Sequence, residues 1–269
     1  MPTIAIDPRQ VLHYEVECFG EPWRTPETVL LVHGAAESSK AWFAWVPHLA
    51  RSYRVLRPDM RGFGQSSLAA DGFAWSPASL AADLAHFLDT LGVEACHVVG
   101  AKIGGSVSMQ FAADYPERTL TLSVVSGPAR VHDTGGKADL RTFTDRIRAV
   151  GGRGWAAETQ RARLGSKASE AQLEWWTDFM ATTNPEVAIA ITEMAGRLDI
   201  TPALSSIQAP TLVVTTENSA LASVEVVREW QQLIPRSELL VLPGDSYHVA
   251  AAEPDLCAEH VLAFIQRSR

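Results

Sequence analysis

The chain has 269 residues, of which 46% are hydrophobic and 20% are charged, with a net charge of -8 and a pI near 5.5. This composition is typical of a globular protein with a large core, and the length predicts one or two domains. The acidic balance argues against a nucleic-acid partner, and the lack of an apolar run of roughly 20 residues argues against a membrane partner. Because the three cysteines are far apart and in no metal spacing, we expect a cytoplasmic protein without a metal site.

Short apolar runs alternate with helical patterns along most of the chain, which is typical of βαβ units and a largely parallel sheet. The helix that follows Gly104 is expected to end near Pro116. The predicted strands cover residues 11–17, 28–34, 53–59, 95–100, 119–127, 210–217 and 237–244. The other predicted helices cover residues 40–51, 77–91, 222–234 and 253–267.

The alternation stops between residues 129 and 208, where only helical patterns occur. We therefore predict a core domain formed by residues 1–128 and 209–269, with residues 129–208 inserted as a helical cap. A pocket between a helical cap and a sheet is a common place for a small ligand.

Five short motifs then occur in the order found in one large family. They are HGAAESS (33–39), DMRGFGQSS (59–67), VVGAKIGG (98–105), APTLVV (209–214) and GDSYHVAAAEP (244–254). Together they resemble the α/β-hydrolase superfamily, and the layout is most similar to its 3-oxoadipate enol-lactonase and C–C-bond hydrolase branches. The resemblance implies an α/β-hydrolase fold, which is a mostly parallel central sheet with helices on both faces and an inserted helical cap.

The segment from Gly100 to Gly104 has the frame of a nucleophile elbow, written G-x-S-x-G, but Lys102 stands where the family has serine. The resemblance implies that His248 is the catalytic histidine. It also implies that the backbone N–H groups of Ala35 and Ile103 form the oxyanion hole.

The family's acid follows strand seven, where this chain has Ser219. A slip of one or two residues could bring Glu217 or Asn218 into that position, and Asp245 lies near His248 in the sequence. We expect no carboxylate from the strand-seven loop on His248, and a charged partner for this histidine from any source is unlikely on the sequence.

Lys102 is predicted to be buried at the N-terminus of a helix, and both burial and the helix dipole lower the pKa of an amine. A serine-like acyl transfer would end in a stable amide, so ordinary ester hydrolysis through Lys102 is excluded. A neutral amine can instead form a Schiff base with a carbonyl compound and promote C–C cleavage or a lyase-like reaction. Alternatively, protonated Lys102 stabilises an anion while His248 activates water, or the chain only binds a ligand and Lys102 reaches out of the cavity.

The function predicted first is a cofactor-independent enzyme that acts on a small, partly apolar carbonyl compound, as a monomer or a homodimer. A second group of residues is predicted to line the substrate pocket, although aromatic residues of this kind are most often core. This group comprises Ser38, Trp42, Phe43, Trp175, Trp176 and Phe179.

Overall fold

The computed structural model describes residues 2–131 and 139–268. Within these residues, eight strands form one sheet in the order β1-β2-β4-β3-β5-β6-β7-β8. Strand β2 pairs antiparallel with β1 and β4, whereas all neighbours from β4 to β8 are parallel. The strands are β1 (Thr3–Asp7), β2 (Gln10–Glu17), β3 (Thr28–Val32), β4 (Arg54–Pro58), β5 (Cys96–Ala101), β6 (Thr119–Val125), β7 (Thr211–Thr216) and β8 (Ser237–Leu242).

Helices cover both faces of this sheet, because alternate strand residues point to opposite sides. On β3, Leu30 and Val32 belong to one apolar core, while Val29 and Leu31 belong to the other. The predicted mostly parallel sheet with helices on both faces is confirmed. The helices are α1 (Val46–Leu49), α2 (Pro77–Thr90), α3 (Ile103–Asp114), α4 (Phe143–Leu164), α5 (Glu170–Ala181), α6 (Pro185–Ala195), α7 (Val224–Gln231), α8 (Val249–Ala252) and α9 (Pro254–Arg267).

Three helices, α4 to α6, lie between β6 and β7 and contribute to one small apolar cluster. Ala36, from the loop after β3, belongs to this cluster together with Trp155 and Met180. The cluster therefore attaches the α4–α6 segment to the loop that follows β3. Residues 132–138 of the predicted cap lie outside the described residues, and the division into core and cap stays a prediction.

Helix α4 changes direction at Gly151, whose φ of 74° and ψ of 168° are not helical. Glycine is the residue that adopts this conformation without a steric penalty. The segment after this break carries Trp155 and Arg163.

Two local predictions differ from the structure. Residues 40–51 do not form one helix: a 3-10 turn (Ser39–Trp42) precedes the four-residue helix α1. Pro47 lies in the first turn of α1, where a proline is tolerated because its missing N–H would have no helical partner. The sequence patterns also did not predict β1, an edge strand whose residues are half-buried or exposed. None of the described helices is both long and apolar enough to cross a membrane.

Candidate functional site

Lys102 occupies a sharp turn between β5 and α3. Its φ of 54° and ψ of -125° are a strained backbone conformation for a residue with a side chain. The turn is tight because α3 starts directly against β3: a Cβ on Gly104 would lie 2.3 Å from the carbonyl oxygens of Val32 and His33. Glycine at position 104 thus allows the close approach that presents the side chain of residue 102 above the sheet.

The amine of Lys102 is paired with a carboxylate that the sequence patterns did not identify. Lys102 Nζ donates a hydrogen bond of 2.7 Å to Oε1 of Glu37, and both side chains are buried. The other oxygen, Oε2, accepts a 2.9 Å hydrogen bond from the N–H of Gly34. Glu37 therefore joins the loop after β3 to the elbow after β5, two strands that are neighbours in the sheet.

His248 lies between β8 and α8 and contacts the same carboxylate. Its Nε2 is 3.0 Å from Glu37 Oε1, although the angle does not satisfy hydrogen-bond geometry. Its ring packs edge-on against Trp176, with the centroids 5.4 Å apart. The backbone N–H of His248 donates to the carbonyl of Arg163 at 2.8 Å, which ties this loop to the end of α4.

Burial is the main influence on the charges of these three groups. It lowers the pKa of Lys102 from 10.5 to about 8, with Glu37 opposing the shift and Arg163 adding to it. Burial also lowers the pKa of His248, partly opposed by Glu37. Burial opposes ionisation of Glu37 too, but His248 and Lys102 outweigh it and hold the pKa of the carboxyl well below its usual value. At neutral pH we therefore assign an ionised Glu37, a neutral His248 and a mostly protonated Lys102.

A cavity of about 40 Å³ adjoins Lys102. This is room for about three water-sized groups. Ala35 and Ile103, whose N–H groups are the expected oxyanion donors, line it together with Lys102. The N–H of Ile103 is at the first position of α3, where a helix has no internal acceptor for it. The rest of the wall is formed by Pro128, Phe143, Trp155, Arg163, Thr192, Ala195, Leu221 and Tyr247.

The four candidates for the acid are hydrogen-bonded elsewhere or exposed. Ser219 accepts a hydrogen bond from the N–H of Leu221, Glu217 and Asn218 are exposed, and Asp245 accepts from the N–H of Ser166. In the described part of the chain, Glu37 is the carboxylate within 4.0 Å of His248. The view that a charged partner for His248 is unlikely was therefore wrong, because the carboxylate comes from the loop after β3 instead of the strand-seven loop.

The six residues predicted to line the substrate pocket are not in the wall of this cavity. Ser38 caps the 3-10 turn at Ser39–Trp42, and Trp42 packs in the core against Trp45. Phe43 and Trp175 are 57% and 45% exposed and contact each other. Trp176 and Phe179 pack against each other. Of the six candidates, Trp176 is the one whose ring contacts His248.

The arrangement places a buried amine against a carboxylate that also lies 3.0 Å from an imidazole, and the amine adjoins a small cavity. An amine of this kind can attack a carbonyl carbon, and the neighbouring groups can move protons. Among the described residues, no group of three or more His, Cys, Asp or Glu side chains could hold a metal ion.

Three comparisons with known proteins concern most of the chain. A sequence profile of the family described as alpha/beta hydrolase fold matches residues 27–255. RutD of Caulobacter sp. (strain K31), named provisionally as a carbamate hydrolase, is 27% identical over 94% of this chain and 95% of its own. The enol-lactonase from Burkholderia xenovorans LB400 superposes with a TM-score of 0.88 at 23% identity, covering 98% of this chain and 100% of that one.

A fourth comparison is shorter. The dihydrolipoyllysine-residue acetyltransferase component of the acetoin cleaving system from Cupriavidus necator is 41% identical over 100 residues. These residues are 37% of this chain, and the chain covers only 26% of that relative's length.

Proposed function

Because the chain belongs to the α/β-hydrolase family, we propose that it is an enzyme that acts on a small carbonyl compound through an imine at Lys102 and cleaves a C–C bond. One relative is named as a carbamate hydrolase, and a carbamate contains a carbonyl group, which supports a carbonyl compound as the substrate of this chain. The site residues are Lys102 as nucleophile, His248 as proton carrier, and the N–H groups of Ala35 and Ile103 as oxyanion donors.

The observation that carries this proposal is an amine with a pKa of about 8 at the nucleophile elbow. At pH 7 about one such amine in ten is neutral and nucleophilic, against fewer than about one in a thousand for an ordinary lysine. Burial thus supplies a reactive amine without a cofactor.

The first half of the reaction forms the imine. The nitrogen of neutral Lys102 attacks the carbonyl carbon, a C–N bond forms, and the carbonyl oxygen takes the electron pair of its π bond. This oxygen is stabilised by the N–H groups of Ala35 and Ile103. His248 moves one proton from the nitrogen to the oxygen, and a second proton, from solvent, lets the oxygen leave as water, so that an imine with one N–H proton, the protonated imine, remains.

The second half uses the protonated imine as an electron sink. His248 takes the hydroxyl proton of the leaving substituent, which departs as an aldehyde or ketone. The electron pair of its broken bond to the α-carbon moves to the imine nitrogen to give an enamine. The α-carbon then takes a proton from His248. Water hydrolyses the imine, releases the shortened carbonyl compound and restores Lys102. No oxidant, reductant or further reactant is needed.

Reduction with borohydride tests this chemistry, because it converts an imine to a stable secondary amine that intact-protein mass spectrometry detects. We expect a covalent adduct on the wild-type protein with members of a ketone and aldehyde panel, and peptide mapping should locate it at Lys102. The Lys102→Arg and Lys102→Ser variants should give none, since neither guanidinium nor hydroxyl forms an imine. Turnover of the identified substrate should fall at least about 1000-fold in both variants.

Lys40 provides the matched control. It is exposed on the turn after the oxyanion loop, and Lys40→Arg should leave trapping unchanged. A Lys102→Arg protein that keeps substantial turnover contradicts the imine mechanism.

A second candidate function is a hydrolase in which Lys102 acts through its charge. The 2.7 Å ion pair with Glu37 favours it, because this contact stabilises the protonated amine. His248 then activates water, and the ammonium stabilises the oxyanion. This candidate predicts turnover in Lys102→Arg and no trapped adduct in the wild type.

A further inference from the structure

Three buried hydrogen-bond donors in the wall of the Lys102 cavity have no protein acceptor among the described residues. They are Nη2 of Arg163, Nε1 of Trp155 and the hydroxyl of Tyr247. Buried donors without an acceptor are rare in folded proteins, and each one calls for an explanation. Three such donors around one small cavity indicate that the cavity binds a ligand with hydrogen-bond acceptor atoms.

Of the three donors, Arg163 has the greatest need of a partner, because it is charged. It is 2% exposed, and no described carboxylate lies within 4.0 Å of it. Its Nε donates to Thr159 Oγ1 at 3.0 Å. Its guanidinium carbon lies 4.7 Å from the ring centroid of Trp155 and 5.5 Å from that of Tyr247. Ring faces compensate only part of the solvation that a buried cation loses, so an anionic partner is missing from the balance of charges.

The position of Arg163 is fixed independently of any ligand. Its carbonyl oxygen accepts one hydrogen bond from the His248 N–H at 2.8 Å and another from the Ser246 hydroxyl at 2.5 Å. Because Arg163 is hydrogen-bonded to the loop that carries His248, the position of its guanidinium relative to the proposed catalytic groups is fixed. A cation held in advance binds an anion without a further ordering cost.

We propose that Arg163, Trp155 and Tyr247 bind the carboxylate of the substrate, which is a short oxo acid. The inference rests on the imine chemistry proposed above and names the class of carbonyl compound that uses it. A carboxylate offers two acceptor oxygens, and guanidinium groups pair with such oxygens more strongly than neutral donors do. The cavity, with room for about three water-sized groups, favours a short separation between the carboxylate and the ketone.

This assignment also restricts the bond that breaks. A carboxylate paired with Arg163 is stabilised as an anion, so it is not the group that leaves as carbon dioxide. The electron pair that reaches the imine nitrogen must come from another substituent on the α-carbon, as in a retro-aldol cleavage. The oxo acid keeps its carboxylate and leaves as the shortened product after the enamine is protonated and the imine is hydrolysed.

The test compares pyruvate with its neutral methyl ester in borohydride trapping, each corrected for its reaction with a free lysine derivative. We expect wild type to form the pyruvate adduct about 10 to 100 times more efficiently than the ester adduct. In Arg163→Gln this preference should disappear, and Arg163→Lys should restore part of it. Arg161→Gln, two residues away at an exposed ion pair with Glu170, is the matched control and should keep the preference.

Calorimetric titration of pyruvate without borohydride separates this inference from the imine mechanism. Pyruvate binding that depends on Arg163, with no adduct from either compound, supports the carboxylate site and contradicts the imine. Equal trapping of both compounds by wild type, with unchanged pyruvate affinity in Arg163→Gln, overturns the carboxylate site and leaves the imine standing. If Arg163→Gln does not fold, the wild-type preference and the Arg163→Lys protein decide in the same way.

Discussion

At the scale of single residues, the site depends on one carboxylate that serves several partners. Glu37 Oε1 accepts from the Lys102 amine and lies 3.0 Å from His248, while Oε2 accepts from the Gly34 N–H. A buried pair of this kind gains little net stability over apolar residues, but removal of one partner leaves an uncompensated charge. Glu37 and Lys102 are therefore expected to tolerate joint replacement better than single replacement.

The first residue-scale prediction follows from this coupling. Lys102→Met should lower the free energy of unfolding by about 3 kcal/mol, the lower end for a broken buried pair, because His248 can still take up a proton beside Glu37. Adding Glu37→Gln should recover part of this loss, so the double variant costs less than the sum of the single variants. Urea unfolding measures all three. Costs that simply add would contradict the coupling, and Glu158→Gln, at an exposed pair with Arg146, controls for loss of an ordinary ion pair.

The residue scale is also where the sequence was least informative. Lys102 and His248 could be identified from local motifs, and the structure brings both onto one carboxylate. Glu37 was missed because the acid was expected after β7. A signal was nevertheless present: Glu37 lies three residues after Gly34, in the loop that follows β3, and the C-terminal ends of neighbouring parallel strands meet at one edge of the sheet. Arg163 could not be identified, since a helix pattern does not say how the helix is oriented against the sheet.

At the scale of elements, the strands and the long helices could be predicted well because their apolar periodicity is strong. The predicted helix at residues 77–91 is found as α2 (Pro77–Thr90), and the predicted strand at 28–34 as β3 (Thr28–Val32). Short elements with mixed burial could not be predicted, as β1 and the divided 40–51 segment illustrate. Such elements are set by tertiary contacts instead of local propensity.

The break in α4 gives a prediction at this scale. Gly151→Ala places a side chain at a φ of 74° and should lower the free energy of unfolding by about 1–3 kcal/mol. Gly152→Ala is the matched control, because Gly152 has no positive φ and a Cβ there would meet nothing within 4 Å. This change should be neutral or stabilise by up to about 1 kcal/mol. Thermal unfolding of the pair checks the assignment, and equal effects would contradict it.

At the scale of the whole molecule, the fold divides its apolar side chains between the two faces of one sheet, and the site lies beyond the C-terminal edge of the parallel strands. This is the usual position of a site in an open α/β sheet. Burying an amine at that edge lowers the free energy of unfolding of the whole protein, so its effect should be measurable in global unfolding.

The corresponding prediction concerns pH. The pKa of Lys102 is about 8 in the folded protein and 10.5 in an ordinary lysine, so between these values the unfolded chain holds a proton that the folded protein has lost. Raising the pH through this window favours the folded state by up to about 1 kcal/mol per pH unit from this group. Denaturant unfolding of wild type and Lys102→Met from pH 8 to 10 should show wild type gaining relative to the variant. A constant difference would contradict the lowered pKa, and shifts from Cys96 and Tyr247 cancel in the comparison.

The three positions 37, 102 and 248 are distant in the chain and meet only when the last parallel strands have joined the sheet. During synthesis, position 102 emerges long before position 248. Before the fold has closed around it, the side chain of Lys102 is an ordinary hydrated lysine, protonated and almost inert toward aldehydes and ketones. On the proposed imine mechanism, a reactive amine exists only in the folded protein, so the nascent chain is protected from that chemistry.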